Sequence, residues 1–357
     1  MYRPSTRNEW MFCGTLFAQG SIVTLLEIFI LVEWYSWINP PIYQVPVSYV
    51  VPISLAILIF ACVYETLLSL DAVHHKNSIL LTAICFSNLC IIIFASLKCV
   101  ETKDAVTSVR YGVDGTGHPF TDSSKDLWNI IQPAVLAAPI ILALSSAGLI
   151  LAAYRLQRDY TWIIYKTIHG DPSLRWRYLA YELYIVLIKY VFFFLVAFIV
   201  EYNLIDVHFS ESEYNLTLAL VPTTFVVMIL GIYCVKQEMK WAMAFIVMCF
   251  LGLIAYLLSR IVVLCGSSRR AHTIAKDTML LFASVSLALT VLTLATAIQC
   301  VINFDHGVSG VNPRHATSRS TTMGSRTAFY PLETAYAGRT SDDEEIRALP
   351  PYRFVVN

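Results

Sequence analysis

The sequence predicts an all-α fold: a polytopic transmembrane helical bundle of about eight spans, followed by a disordered C-terminal tail. The first observation is composition, since 57% of the 357 residues are hydrophobic and only 14% are charged, whereas soluble domains carry about 25% charged residues. The second is arrangement, because the apolar residues fall into runs of about 20, the length that crosses about 30 Å of hydrocarbon. The third is that these runs contain few charges, which argues against a water-soluble fold.

Eight apolar runs follow one another along the chain. They are Met11–Val32, Tyr49–Leu70, Ile79–Leu97, Ile130–Tyr154, Tyr178–Val200, Leu216–Val235, Trp241–Leu264 and Thr278–Ile302. Backbone polar groups find no water inside a bilayer, so each run is expected to be a helix. The first run is too long for the core of a cleavable signal. Prolines within the runs (Pro52, Pro133, Pro139 and Pro222) are expected to kink helices rather than end them.

Lysine and arginine set the predicted orientation of the spans. Five basic residues lie between the fourth and fifth runs, whereas the next loop, 201–213, carries only acids and His208. The five are Arg155, Arg158, Lys166, Arg175 and Arg177. Their loop is therefore assigned to the cytosol, and with eight spans both termini lie there too. Arg269, Arg270 and Lys276 oppose this arrangement, and seven spans would result if one run were re-entrant.

The chain divides into a multi-span domain, residues 1–308, and a cytosolic tail, residues 309–357. The tail is rich in Ser, Thr, Arg and Pro and lacks an apolar period, so it is expected to be disordered. Two short patterns in it resemble signals for coat or sorting machinery. One is diacidic and the other is tyrosine-based; their residues are Asp342, Asp343, Glu344 and Glu345, and Tyr352 with Val355. A merely solvated tail is the alternative.

Lys189 is the outstanding polar residue of the membrane domain, because it lies in the middle of the fifth run. Charges inside a bilayer are costly unless they are paired or hydrated. Glu27 and Glu65 lie at compatible depths in the first two runs, and either could neutralise it. Glu182 lies two turns away, about 10 Å along the same helix, too far for a direct pair. The cluster is either a polar cavity for a proton, an ion or a lipid headgroup, or a buried pair that fixes helix order.

Other functional classes lack the residues they need. A net charge of zero gives no basic field for nucleic acid. The eight histidines lie in loops, at span ends or in the tail, so no metal site, cofactor or catalytic residue is predicted, and an enzyme is not expected. Cys99 and Cys265 lie at run ends on the same predicted side, where a disulfide and two free thiols both remain open.

Several short sequence segments of the membrane domain are distinctive and follow one another in order along the chain. They are Tyr64–Glu65, Leu70–Ala72, Lys76–Ile79, Trp162–Lys166, Gly170–Asp171, Arg175–Leu179, Tyr184–Lys189, Phe192–Phe194 and Asn303–Phe304 with Gly307. Together they resemble a placeholder-named (UPF-type) family of fungal Golgi apparatus multi-pass membrane proteins. The resemblance implies a Golgi membrane location and no particular reaction. This chain departs from the family pattern just after Lys189, where Tyr190 and Val191 replace an expected aspartate, so Lys189 is expected to rely on Glu27 or Glu65.

The leading functional hypothesis is a non-enzymatic Golgi membrane protein that assists trafficking or membrane homeostasis. The alternative is a small-solute or proton-coupled transporter with a site around Lys189. A seven-span receptor is a weaker third hypothesis, since it requires an extracellular amino terminus, against the charge distribution. The lipid bilayer is the one partner that composition requires, and the sequence leaves the oligomeric state open.

Overall fold

The computed structural model describes residues 4, 6–38, 46–112, 119–122, 125–167, 172–205, 211–266 and 275–304. These residues form eight α-helices, each long and apolar enough to cross a membrane. They are α1 (Arg7–Trp37), α2 (Pro46–His75), α3 (Ser78–Arg110), α4 (Leu127–Thr167), α5 (Pro172–Ile205), α6 (Glu211–Lys236), α7 (Lys240–Cys265) and α8 (Lys276–Phe304). The predicted all-α, eight-span fold is confirmed. The predicted tail, with both of its sorting patterns, lies outside the described residues.

Several helices, α3 and α4 most of all, extend well past the apolar runs that predict them. Helix α4 has 41 residues, which is about 60 Å at 1.5 Å per residue, twice the thickness of a hydrocarbon core. The apolar run marks the segment that lipid surrounds, and polar residues continue the same helix into water. At the start of α1, Thr6 and Glu9 form a capping box that satisfies the first free N–H groups. Helices α2, α4 and α6 run through their internal prolines without breaking.

Two very short connections fix neighbouring helices. Lys76, between α2 and α3, and Glu238, between α6 and α7, adopt positive φ angles of 50° and 54°. Asn77 then caps α3, its side-chain oxygen accepting from the N–H groups of Ile79 and Leu80. Because a turn of two or three residues leaves no room for another arrangement, α2 and α3 are antiparallel neighbours, as are α6 and α7.

The eight helices pack as two groups of four. In the first group, α1 to α4, each helix contacts the next and α4 closes back on α1, so that α1 and α3 lie diagonally across the ring. In the second group, α5 to α8, contacts follow the same pattern and α8 closes on α5. The groups meet where α2 and α3 contact α5, and where α3 contacts α8. This junction is called the group interface below.

Apolar side chains cover the outer faces as well as the core. Leu25, Leu144 and Trp241 are 68%, 71% and 92% exposed, an arrangement expected of helices surrounded by lipid. All nine cysteines are free thiols. Cys99 contacts the carbonyl oxygens of Ala95 and Val135, each 3.2 Å from its sulfur, and Cys265 is exposed. The free-thiol alternative therefore describes the structure.

Candidate functional site

Lys189 forms an ion pair across the group interface, but not with a residue that the sequence suggested. Its Nζ lies 2.6 Å from Oδ2 of Asp71 on α2, with side chains 20% and 32% exposed. The prediction that Glu27 or Glu65 neutralises Lys189 is wrong. Glu182, two turns nearer the start of α5, is partly buried and is not the partner of Lys189 either.

The direction of helical side chains explains this choice of partner. The Tyr64 hydroxyl donates to the backbone carbonyl of Lys189 at 2.8 Å, so the Lys189 backbone lies level with Tyr64 and Glu65. Long side chains on a helix lean toward its N-terminus, and α5 runs antiparallel to α2. The lysine therefore reaches toward the C-terminal end of α2, where Asp71 lies about 9 Å beyond Glu65. Backbone depth alone favours Glu65 as the partner of Lys189.

Asp71 also connects the pair to the outside of the bundle. Oδ1 of Asp71 lies 3.6 Å from Nε2 of His75, one turn later on α2, and the His75 side chain is 64% exposed. A continuous set of polar groups thus leads from the exposed end of α2 to Lys189. Sequence reasoning missed this connection, because Asp71 and His75 follow the apolar run Tyr49–Leu70 and resemble ordinary helix-end residues.

Glu65 lies deeper in the group interface, and neither of its carboxylate oxygens accepts a hydrogen bond of regular geometry from a described residue. It is 1% exposed. Ser87 of α3 lies beside it and beside Tyr190 of α5, close enough to interact with both but outside regular hydrogen-bond geometry. Ser87 and Tyr190 are each 3% exposed. These three residues are called the Glu65 cluster. Tyr190 thus lies near a buried carboxyl group.

A second buried polar cluster joins three helices at the opposite end of the group interface. The Thr278 hydroxyl, in the first turn of α8, lies 2.5 Å from Oε1 of Glu201 on α5 and 3.1 Å from Oε2 of Glu101 on α3. The Thr278 N–H also donates to Oε1 of Glu101 at 3.2 Å. Glu101 and Glu201 are 5% and 0% exposed. We call these three residues the Thr278 cluster. Sequence reasoning missed it because both glutamates lie just past apolar runs.

A layer of aromatic rings separates the two clusters. Phe282 of α8 lies 4.8 Å from Phe94 of α3 and 6.3 Å from Phe194 of α5, measured between ring centroids. On α3, Ser87, Phe94 and Glu101 follow at intervals of seven residues and so share one face of the helix. That face therefore presents a hydroxyl, a ring and a carboxyl group in succession to the second group, over about 21 Å.

Glu27 takes part in a separate polar site inside the first group. It forms an ion pair with Lys98 of α3, and the two side chains are 1% and 4% exposed. Two turns away, Gln19 accepts hydrogen bonds from Asn88 at 3.2 Å and Ser145 at 2.6 Å. The diagonal helices α1 and α3 are thus connected through the centre of their ring. Lys98 directly follows the last residue of the third apolar run, so the sequence does not mark it as a charge inside the membrane.

The comparisons with known proteins agree with the predicted family. No family model matches the chain, and no solved structure matches it. A UPF0658 Golgi apparatus membrane protein of Schizosaccharomyces pombe is 25% identical over 271 residues, covering 72% of this chain and 77% of the relative. The resemblance to fungal Golgi apparatus membrane proteins, and with it the Golgi membrane location, is confirmed.

Proposed function

From the premise that the chain is a Golgi apparatus membrane protein similar to the UPF0658 relative, we propose that it is a proton-coupled transporter of that membrane. In this role it contributes to membrane homeostasis by moving protons together with a small solute, and it is not an enzyme. The proposal favours the transporter hypothesis over a role in trafficking, because polar groups lead from the exposed end of α2 into the group interface.

The observation that carries the proposal is the burial of Glu65 without a cation or a regular hydrogen bond from any described residue, since its one nearby donor is the Ser87 hydroxyl. An ionised carboxylate that accepts no hydrogen bond is costly in a buried site, whereas the neutral acid is tolerated there. Such a group is suited to bind a proton in one arrangement of its surroundings and to release it in another. A carboxyl group that only fixed helix order would be expected to have a donor, as Glu27 has in Lys98.

The position of Glu65 supports the same function. It lies between two helix groups, about 9 Å along α2 from the partly exposed Lys189–Asp71 pair. Transporters of several folds place their sites near the middle of the membrane between two bundles that move against each other. In this chain the aromatic layer closes the interface beyond Glu65, and a dry apolar constriction of this kind can act as a gate.

The test is a measurement of proton flux in Golgi-enriched vesicles, which retain their native solutes. Vesicles from cells that produce the wild type, Glu65→Gln or Glu33→Gln receive an imposed pH gradient, and an internal pH-sensitive dye follows its decay. Glu33→Gln is the matched control, because Glu33 lies on α1 outside the clusters. We expect Glu65→Gln to reduce the flux to that of vesicles without the protein, while Glu33→Gln retains it. Equal flux in the wild type and Glu65→Gln, at equal protein abundance, would refute the proposal.

A further inference from the structure

We propose that the Thr278 cluster is a proton-binding site, in which Glu101 and Glu201 together hold one proton and thereby connect α3 to α5 and α8. The proposal does not require transport, and it concerns the end of the group interface opposite to the Lys189–Asp71 pair.

The Thr278 cluster needs one more hydrogen atom than the Thr278 hydroxyl provides. The Thr278 hydroxyl is within hydrogen-bonding distance of Oε1 of Glu201, Oε2 of Glu101 and the carbonyl oxygen of Ala275. A hydroxyl has a single hydrogen to donate. It cannot satisfy both glutamates if both are ionised, and a further hydrogen is needed for a second bond. A proton on one carboxyl group supplies that hydrogen, since the protonated acid donates to Thr278 and Thr278 donates to the other glutamate.

One oxygen of Glu201 is buried without a donor in the part of the chain that the structure describes. Its Oε2 accepts no hydrogen bond there, although the side chain is 0% exposed. A negative charge left on an oxygen without a donor is costly in a buried site. Binding a proton removes that charge without requiring any new neighbour. A metal ion would need more ligands, and no group of three or more His, Cys, Asp or Glu residues is placed to hold one in the part of the chain that the structure describes.

The neighbouring charges do not neutralise the two glutamates. Neither glutamate forms an ion pair among the described residues, and the charges that bear on Glu101 from its own helix and from α8 are the acids Asp104 and Asp277. Cations on adjacent helices are engaged elsewhere or have no such contact with the pair. Lys98 binds Glu27, and Arg260 of α7 donates to the Tyr202 hydroxyl at 3.0 Å. Arg110 pairs with Asp126, the residue before α4, and Lys276 lies half-buried at the start of α8.

The site would make the contact between the two helix groups depend on pH. With the proton bound, a chain of hydrogen bonds runs from α5 through α8 to α3. When the proton leaves, two buried like charges face each other across one hydroxyl, and the contact weakens. The folded protein therefore binds a proton that the unfolded chain releases near neutral pH, so stability falls as pH rises.

The experiment uses the purified full chain in detergent and follows protonated carboxyl groups by infrared spectroscopy at neutral pH. We expect Glu101→Gln and Glu201→Gln each to lose one protonated-carboxyl absorption that the wild type shows. Glu33→Gln, which changes a carboxylate of α1 outside the clusters, keeps it. In thermal unfolding, the folding equilibrium constant of the wild type should fall by up to about tenfold for each unit by which the pH rises, because of this site. Glu201→Gln should remove that dependence.

Several outcomes would overturn the inference. One is a wild-type absorption that both glutamine variants retain. Another is stabilisation of the wild type but not Glu201→Gln by sodium chloride at constant ionic strength, which would identify a metal cation instead. If Glu101→Gln and Glu201→Gln do not fold, the infrared spectrum of Glu65→Gln tests the inference instead. It must still contain a protonated-carboxyl absorption, and its absence would overturn the inference. The flux measurement on Glu65 is separate, so each proposal can fail alone.

Discussion

At the scale of single residues, the partner of each buried charge depends on where its side chain points. Lys189 and Glu65 have backbones at the same level, yet the lysine leans toward the N-terminus of α5 and binds Asp71. Lys98 likewise finds Glu27 across the ring of the first group. Each pair joins helices that are distant in sequence. Replacing one partner of a pair leaves an unpaired charge and should therefore destabilise the folded protein, whereas replacing both partners should restore most of its stability.

The Lys189–Asp71 pair provides the first prediction. Asp71→Asn or Lys189→Met alone should lower the free energy of unfolding by about 1–2 kcal/mol, between the values for exposed and buried pairs. The double variant should recover most of this loss, because no unpaired charge remains. Glu65→Gln combined with Lys189→Met should show no such recovery, as Glu65 is not the partner. Thermal unfolding in detergent measures all four proteins, and recovery with Glu65→Gln instead would contradict the assignment.

The Glu27–Lys98 pair should be more sensitive, since both side chains are almost fully buried. Lys98→Met leaves a buried carboxylate without its cation and should cost about 3–5 kcal/mol. The double variant Glu27→Gln with Lys98→Met should be close to the wild type. Lys103→Met is the control, because this lysine is exposed on the same helix, and it should change stability by no more than about 0.5 kcal/mol. An equal loss from both lysine variants would count against the buried pair.

At the scale of helices, the sequence predicts the spans well and their ends poorly. Apolar runs identify all eight helices, because lipid demands about 20 apolar residues wherever a helix crosses it. Nothing comparable marks the polar turns that prolong α3 to Arg110 or α4 to Thr167. Glu101 and Lys98 fall in such an extension and so looked like loop residues. The Thr278 cluster and the Glu27–Lys98 pair therefore depend on helix continuation and packing, which periodicity does not reveal.

The packing of α6 against α5 depends on one glycine. A Cβ atom at Gly231 would lie 2.7 Å from Cδ1 of Ile188 and 2.8 Å from the Tyr184 hydroxyl oxygen. Tyr184 is fully buried and has little room to move. Gly231→Ala should therefore cost about 1–3 kcal/mol by overpacking. Gly252→Ala on α7 is the matched control, because no atom lies within 4 Å of its added Cβ. Thermal unfolding compares the two variants, and equal midpoints would contradict close packing at Gly231.

At the scale of the whole molecule, two groups of four helices meet along an interface that contains two polar clusters, one ion pair and an aromatic layer. An even number of spans places both ends of the membrane domain on the same side of the bilayer. The basic loop between the fourth and fifth spans predicts that this side is the cytosol. Reporter tags at the two termini test the topology: both should respond as cytosolic, and tags on opposite sides would rule out eight spans.

The central claim is that polar groups at the group interface serve proton movement and do not merely hold the helices together. The double variant Lys189→Met with Asp71→Asn separates these roles, because it removes the pair without leaving an unpaired charge. Proton flux, protein abundance and Golgi location are measured together in vesicles and cells that produce it. We predict wild-type abundance and location with flux reduced to that of vesicles lacking the protein. Wild-type flux in this variant, or loss of the protein itself, would contradict the account.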